Sequence, residues 1–236
     1  MASSIEAIIN RQLMRWEIER SRRIERKTSV PRRPQVVTVS REIGSRGSFF
    51  AGRLAERMGF QLLHREVIDA ICASSGYRRR IIESLDDRFR SNLDILAESL
   101  VTGQSVDHSD YHRYLIKIVL SMARLGGVVL VGRGGGFILG PLRGFHLRLI
   151  APVEQRCTNL VKYRGLSHEA AQEEIERVDQ ERREMIRKLF GQDIDNPHHY
   201  DLVINLAMLE LEELIEPTVL AIKSKFERLA VDQAGN

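Results

Sequence analysis

The chain of 236 residues has a formal net charge of +4, and 43% of its residues are hydrophobic and 29% charged. This composition is typical of a globular protein, and no apolar run approaches the ~18 residues that a membrane span needs. The apolar residues near the N-terminus are interrupted by polar ones, which argues against a signal peptide. We therefore expect a cytoplasmic protein that is not inserted in a membrane.

The basic residues are concentrated in three arginine-rich stretches. Such clusters suit a polyphosphate partner, although solvated helix faces are the alternative for each of them. Nucleic acid is disfavoured as a partner because no aromatic residues are interleaved with the arginines. The two cysteines, Cys72 and Cys157, have no CxxC spacing, so we predict neither a disulfide nor a zinc site and expect both to be buried.

Residues 1–35 form a predicted amphipathic arm that precedes the main domain. The apolar face of its helix includes Ile5, Ile8, Leu13 and Trp16. A lone helix of this length is marginal in water, so this face is predicted to pack on the back of the chain's own sheet or on another subunit. The second alternative would make the protein a homo-oligomer.

The main domain, residues 36–230, begins with a predicted strand, a glycine loop and a helix. A β-rich run covers residues 36–40, a glycine-containing segment follows at 44–48, and apolar residues then recur at helical spacing up to Gly59. This is the order of a phosphate cradle, in which backbone N–H groups and a helix N-terminus surround a phosphate. The glycine loop alone is a weak signal, since glycine turns between strands and helices are common.

Strands and helices continue to alternate, which predicts a three-layer α/β/α fold around a parallel five-stranded sheet. The further strands are predicted at residues 60–63, 128–131, 146–150 and 202–205. Residues 78–125 show two helical patterns and predict a helical insertion on the substrate side. Ser167 is expected to cap a long charged helix within a lid at residues 165–192, and the last helix is expected to kink or restart at Pro217.

Several segments resemble those of the cytidylate kinase-like family. Residues 38–45, Thr-Val-Ser-Arg-Glu-Ile-Gly-Ser, resemble its opening signature, and segments at 131–139, 177–191 and 201–205 resemble later motifs in the same order. The resemblance covers about residues 36–226. It implies a P-loop kinase-like fold and ATP-dependent phosphorylation of a nucleoside monophosphate, CMP or dCMP first, with Mg²⁺ bridging the phosphates.

The resemblance also implies an ATP-binding loop that lacks the usual lysine. It places Gly47 at the lysine position and Ser48 at the position of the hydroxyl that holds Mg²⁺. An arginine is expected to supply the missing charge, and Arg41 is favoured over Arg46 because Arg41 belongs to the shared segment; the alternative is that both point to solvent. The cofactor-binding residues implied in this way are Gly44, Ser45, Arg46, Gly47, Ser48 and Phe49.

An arginine-rich acceptor site is implied next. Arg133 matches the arginine that holds the substrate phosphate, whereas Gly134 stands where the family usually has an aspartate. Arg177 and Arg182 of the charged helix are expected to neutralise charge during phosphoryl transfer, and a salt-bridged solvent face is the alternative. With Arg41, these arginines are the predicted catalytic residues. The residues assigned to substrate binding are Ser40, His64, Arg65, Arg133 and Glu181.

Two other functions stay open. One is a non-catalytic nucleotide-binding regulatory or interaction protein that kept the cradle after losing the lysine and the aspartate, and the other is a kinase of another small phosphate acceptor. A dinucleotide fingerprint is not met, because Phe137 occupies the position of the third glycine. The histidine pairs His108/His112 and His198/His199 lack a third ligand at zinc spacing.

Overall fold

The computed structural model describes residues 2–25, 35–85, 87–100 and 110–234. Its strands are β1 (Val36–Arg41), β2 (Gln61–Leu63), β3 (Val128–Val131), β4 (Phe145–Ile150) and β5 (Leu202–Asn205). Its helices are α1 (Ala2–Glu25), α2 (Gly47–Met58), α3 (Arg65–Ala73), α4 (Ser75–Glu83), α5 (Asp87–Ser99), α6 (Asp110–Leu125), α7 (Gly135–Leu139), α8 (Val153–Arg164), α9 (His168–Phe190) and α10 (Ile215–Ala234). Within these ranges, no helix is long and apolar enough to cross a membrane.

The five strands form one parallel sheet in the order β2-β3-β1-β4-β5. β1 is central and pairs with β3 on one side and with β4 on the other, so that Val37 faces both Val129 and Phe145. Because all strands are parallel, their carboxyl ends meet at one edge, where ligands bind in open α/β sheets. The strand bounds agree with the predicted ones to within one residue.

Helices cover both faces of this sheet. Val37 and Val39 of β1 lie in a core cluster with α2 and α10, whereas Val36 lies in a second cluster with α1, α3 and α6. A strand that is buried on both faces reads as a continuous apolar run, which is what β1 and β3 show. The predicted three-layer α/β/α fold is confirmed.

A polar stripe interrupts the second face of the sheet. Thr38 is in register with His146, and Ser40 with Arg148. The Thr38 hydroxyl and His146 Nδ1 are 2.7 Å apart, and α7 packs over this pair. A Cβ on Gly136 would lie 3.2 Å from the Thr38 hydroxyl, so the glycines let α7 come this close. The glycine-rich run at 132–136 thus ends inside a short helix.

The helical region at 78–125 differs from its prediction. It contains three helices, α4 to α6, instead of two patterns, and residues 101–109 lie outside the described part. Its last helix, α6, belongs to the core, since Ile118, Val119 and Met122 are fully buried against α3 and α7. A helix this buried is part of the helical layer beneath the sheet and not a peripheral addition.

The N-terminal helix α1 packs on its own chain. Ile9, Leu13 and Trp16 are buried in the same cluster as α3 and α6, and the Trp16 indole N–H donates to the Gly126 carbonyl at 2.9 Å. Ile5 and Ile8, which were predicted to belong to the same packed face, are only partly buried. The arm therefore completes the helical layer of its own subunit, and the prediction of contact with a second copy stays untested.

The last third of the chain begins with a helical hairpin, α8 and α9. Its second helix starts where predicted, because the Ser167 hydroxyl accepts from the Ala170 N–H at 3.2 Å. Pro217 lies in the first turn of α10, after a short 3-10 helix at Leu211–Leu214, so the predicted restart occurs at this proline.

Candidate functional site at the carboxyl edge of the sheet

The glycine loop between β1 and α2 is closed by its own side chains and by close packing. The Ser45 hydroxyl donates to the Glu42 carbonyl at 2.8 Å and accepts from the Gly47 N–H at 3.2 Å. Gly44 has φ +78°, and a Cβ there would lie 2.7 Å from the Arg156 carbonyl. The Gly47 N–H is thus committed within the loop, and the Phe49 N–H donates to the Arg46 carbonyl at 3.0 Å. A glycine loop that leads into a helix N-terminus is the general arrangement that binds phosphate.

A buried anchor cluster of Ile43, Arg156 and Asp179 joins this loop to the helical hairpin. The Asp179 carboxylate accepts from the Ile43 N–H at 3.3 Å and from the Arg156 guanidinium. Arg156 also donates to the Ile43 carbonyl at 3.3 Å, and the Asn159 amide donates to the Gly44 carbonyl at 2.8 Å. Since Arg156 and Asp179 are 5% and 8% exposed, their charges neutralise each other inside the protein.

The loop and the hairpin enclose a cavity of about 350 Å³, here called the loop-side cavity. Its walls come from the glycine loop and the first turn of α2, and from Asn159, Tyr163 and Arg164 of α8. Five of the six predicted cofactor-binding residues line it: Gly44, Arg46, Gly47, Ser48 and Phe49. The sixth, Ser45, is buried, and its hydroxyl stabilises the loop through hydrogen bonds within it.

A second cavity of about 210 Å³, the sheet-side cavity, lies beyond the carboxyl ends of β1 and β3. Its floor is the polar stripe and the glycines of α7, and its roof is the cleft-facing side of α9. Six residues predicted for the acceptor site or for catalysis line it: Ser40, Arg41, Arg65, Arg133, Glu181 and Arg182. Its far end is apolar and aromatic, with Phe137, Ile194 and Tyr200.

Arg41 and Arg182 line both cavities. The Arg182 guanidinium donates to the Arg41 carbonyl at 2.8 Å, and Arg41 Nε donates to the Ser48 hydroxyl at 3.3 Å. Burial, followed by repulsion from Arg182, lowers the pKa of Arg41 to about 10. Burial lowers the pKa of Arg182 as well, against the effect of Asp179. The boundary between the cavities therefore carries concentrated positive charge.

Position 47 has no room for the lysine that P-loops usually carry there. A Cβ on Gly47 would lie 2.8 Å from the Arg41 Cβ and 3.2 Å from the Leu149 Cβ. Arg41 thus lies next to the position of the missing side chain, and its replacement of the lysine charge stays a prediction. Arg46 lies instead at the rim of the loop-side cavity, with its guanidinium carbon 5.3 Å from the centre of the Phe49 ring.

Arg133 is held by a carboxylate that the sequence analysis did not identify. It forms an ion pair with Asp69 of α3, and the Tyr111 hydroxyl donates to the other oxygen of Asp69 at 2.5 Å. The Arg133 Nε is buried without a hydrogen-bond partner while the residue lines the sheet-side cavity. A buried N–H without a partner is uncommon in folded proteins and points to a missing acceptor beside Arg133.

Besides Ser45, two predicted residues, Arg177 and His64, line neither cavity. The Arg177 guanidinium is on the exposed side of α9, where it pairs with Glu174 and Glu181 at 2.6 Å each. His64 is the residue before α3, and burial lowers the pKa of its imidazole. The structure does not bring either side chain to the cavities with the other predicted residues.

Sequence reasoning missed a polar group beside the sheet-side cavity. The buried Arg148 of β4 donates to the Ser40 hydroxyl at 2.8 Å and to Asp195 at 2.5 Å. Asp195 also accepts from Arg183 at 2.8 Å, and the Tyr200 hydroxyl donates to the Ile194 carbonyl at 2.7 Å. The available signal was an arginine that, with His146, alternates with the apolar residues of β4.

The predicted magnesium ligand, Ser48, does not have the surroundings of a metal site. A guanidinium contacts its hydroxyl, and a positive charge at this distance opposes a divalent cation. Mg²⁺ is usually held by one or two carboxylates together with phosphates. Glu42, the carboxylate that lines the same cavity, accepts from the Ala151 N–H at 3.0 Å, and the described residues contain no cluster of three metal-binding side chains. The residues present do not fit the predicted protein-held magnesium.

The strand order, the glycine loop and the two adjoining cavities are those of a P-loop protein with a kinase-like fold. The family model described as Cytidylate kinase-like family matches residues 36–207. The chain therefore belongs to the cytidylate kinase-like family, as the sequence segments indicated.

Individual relatives agree with this family. A cytidylate kinase of Ignicoccus hospitalis is 29% identical over 181 residues, which cover 77% of this chain and 95% of that protein. A cytidylate kinase of Pyrobaculum calidifontis is 26% identical over 126 residues, or 49% of this chain and 68% of that protein. A Corynebacterium glutamicum protein named uronate isomerase is 34% identical over 131 residues, 55% of this chain but 25% of that protein.

A solved structure shares the fold. It is that of an uncharacterized protein from Eubacterium ventriosum, which superposes with a TM-score of 0.64 at 17% sequence identity. The superposition covers 80% of this chain and 98% of that one. At this identity the likeness concerns the fold alone.

Proposed function

We propose that the protein transfers the γ-phosphoryl group of ATP to a nucleoside monophosphate, with CMP or dCMP as the first acceptors to test, and that it acts in the cytoplasm. The observation that carries this proposal is that Arg41 and Arg182 line both cavities. A group transferred from one cavity to the other would pass these two guanidiniums. The cytidylate kinases among the relatives support the choice of acceptor.

In this proposal the loop-side cavity holds the donor and the sheet-side cavity the acceptor. The backbone N–H groups of the glycine loop bind the donor phosphates, and the buried Nε of Arg133 donates to the acceptor phosphate. An acceptor phosphate oxygen attacks the γ-phosphorus, the bond to the β-phosphate oxygen breaks, and ADP leaves.

Arg41 and Arg182 have a separate role in the transfer. Phosphoryl transfer spreads negative charge over the moving group, and fixed positive charges at that point lower the barrier. A partly buried guanidinium is effective there because it is already desolvated and in position.

Coupled ADP release with a panel of nucleoside monophosphates tests this function. Turnover with CMP or dCMP above the other acceptors supports it, and turnover with a different small phosphorylated compound supports the kinase but not the acceptor. Measuring nucleotide binding by calorimetry on the same samples separates binding from chemistry.

A non-catalytic nucleotide-binding protein is the second candidate function. It is favoured by Gly134, which supplies no carboxylate beside the acceptor, and by Asp69, which already neutralises Arg133. Binding of ATP and CMP without ADP release under any acceptor would establish this alternative and reject the first proposal.

A further inference from the structure

Two aromatic side chains lie exposed at the mouth of the loop-side cavity. Phe49, in the first turn of α2, is 52% exposed, and Tyr163, at the end of α8, is 58% exposed. Both line the cavity. Large aromatic groups that stay exposed beside a cavity are more informative than scattered surface residues, because they offer apolar contact area that the protein itself does not cover.

Arg46 links the two rings. Its guanidinium carbon is 5.3 Å from the centre of the Phe49 ring and 5.7 Å from that of the Tyr163 ring. The three residues, here called the aromatic rim, come from the glycine loop, α2 and α8. They therefore form one surface although they belong to different elements.

The backbone of Arg46 is in the left-handed region, with φ +63°. This conformation is unfavourable for a residue other than glycine. Residues strained in this way are concentrated at ligand sites. Arg46 has no resolved carboxylate partner among the described residues, so its guanidinium is placed on the rings and not in an ion pair.

We propose that the aromatic rim binds the nucleobase of the donor by stacking. This inference rests on the proposed function, because it assumes that the donor phosphates lie in the adjoining glycine loop. A planar base would stack on the Phe49 and Tyr163 rings in place of, or together with, the Arg46 guanidinium. Lys162 Nζ, 5.2 Å from the centre of the Tyr163 ring, adds a positive charge at the same place. The donor would then run from the α2 N-terminus outward to the rim.

The same surroundings predict weak discrimination between bases. Reading the edge of a base needs donors and acceptors in fixed positions, and Asn159 is the one amide side chain that lines this cavity. Its amide nitrogen is already committed to the Gly44 carbonyl at 2.8 Å. Stacking is tolerant of sequence because every base has a π-face. ATP, GTP, CTP and UTP are therefore expected to bind with similar affinity.

Calorimetry on the full chain with these four nucleotides and with tripolyphosphate tests the inference. All four nucleotides should bind within about fivefold of one another and about tenfold more tightly than tripolyphosphate, since a stacked base contributes on the order of that factor. Phe49→Ala and Tyr163→Ala should each remove most of this advantage without changing tripolyphosphate binding. Tyr163→Phe, which keeps the ring, should retain it.

Val161→Ala is the matched control, because Val161 is an exposed residue of the same helix that does not line the cavity. One nucleotide bound more than ~20-fold above the others would show that base edges are read, and would overturn the inference. Nucleotides bound no better than tripolyphosphate would also overturn it, while leaving phosphate binding in the loop intact. If tripolyphosphate itself did not bind, the proposed function would fail together with the inference.

Discussion

Two groups of arginines near the glycine loop differ in how their charge is compensated. In the anchor cluster, Arg156 is buried together with the carboxylate of Asp179. At the boundary of the cavities, Arg41 has no carboxylate at ion-pair distance among the described residues, and Arg182 is 3.5 Å from Asp179. The pKa of each of these two is lowered, chiefly by burial. The comparison separates a paired buried arginine, which joins two parts of the scaffold, from Arg41, for which we propose a bound phosphate as the missing partner.

The largest expected effect concerns the anchor cluster. Asp179→Ala leaves the buried Arg156 with one remaining carboxylate, Glu42, which is 3.8 Å from its Nε, so we expect a cost of up to about 3 kcal/mol. Urea denaturation should show this loss in the free energy of unfolding. Arg177→Ala on the same helix is the control, since its ion pairs are exposed and their loss should not be measurable. If Asp179→Ala and Arg177→Ala were equally stable, the buried ion pair of the anchor cluster would contribute no more to stability than the exposed pairs of Arg177.

Arg41→Ala should affect binding and not folding. We expect ATP affinity to fall at least tenfold, or about 1.4 kcal/mol, because a charge-assisted contact to phosphate is lost. The free energy of unfolding should not decrease, since the variant removes a buried charge that repels Arg182. Calorimetry and urea denaturation on the same sample give both values.

Arg46→Ala and Arg41→Lys sharpen this test. Arg46→Ala should weaken ATP binding less than Arg41→Ala does, and Arg41→Lys should recover part of the affinity because it keeps the charge. A loss confined to Arg46→Ala would transfer the role to Arg46. If neither Arg41→Ala nor Arg46→Ala weakened ATP binding, the idea that an arginine replaces the P-loop lysine would be contradicted.

Arg133 is an intermediate case, because it is paired and yet lines a cavity. Arg133→Ala should weaken monophosphate binding about tenfold, or 1.4 kcal/mol. Asp69→Asn removes the opposing charge at nearly constant volume, so it should strengthen monophosphate binding. Calorimetry with CMP measures both, and changes in the same direction would contradict the assignment of Arg133 to phosphate binding.

The smallest expected effect is a pH dependence from the polar stripe. Burial lowers the pKa of His146 in the folded state, so below the ordinary value of about 6.5 the unfolded chain binds a proton that the folded chain resists. Stability should therefore decrease as pH falls below about 6.5. His146→Gln should reduce this slope in urea denaturation. His64→Gln measures the share of His64, whose shift has the same sign.

Much of the fold could be predicted because local signals agreed with the packing. The strands were apolar runs bounded by glycine or polar residues, and Ser167 and Pro217 mark helix starts in the sequence itself. The number of helices between 78 and 125 could not be read, since short helices with broad apolar faces merge into one pattern. The packing of α1 depends on a surface formed by α3 and α6, which no local pattern contains.

The candidate site residues could be predicted where they belong to one continuous segment of the chain. They could be predicted less well where the site depends on ion pairs between residues far apart in the sequence. The glycine loop and Arg41 follow from position along the chain. Asp69 and Asp195 could not be found, because their partners Arg133 and Arg148 are 64 and 47 residues away and meet them only in the folded chain. Arg177 and Arg182 are five positions apart on one charged helix, and only the packing of α9 shows which of them reaches the cavities.

The contact between Trp16 and Gly126 has a consequence for biosynthesis. The two residues are 110 positions apart, and a ribosome adding ~5–20 residues per second needs on the order of 5–20 s to make the intervening chain. α3 is made about halfway through that interval and α6 near its end, so the surface that covers the apolar side of α1 is incomplete until then. The nascent chain therefore carries an exposed apolar helix until its own later segments emerge, and chaperones that bind such helices have time to act before the native contact forms.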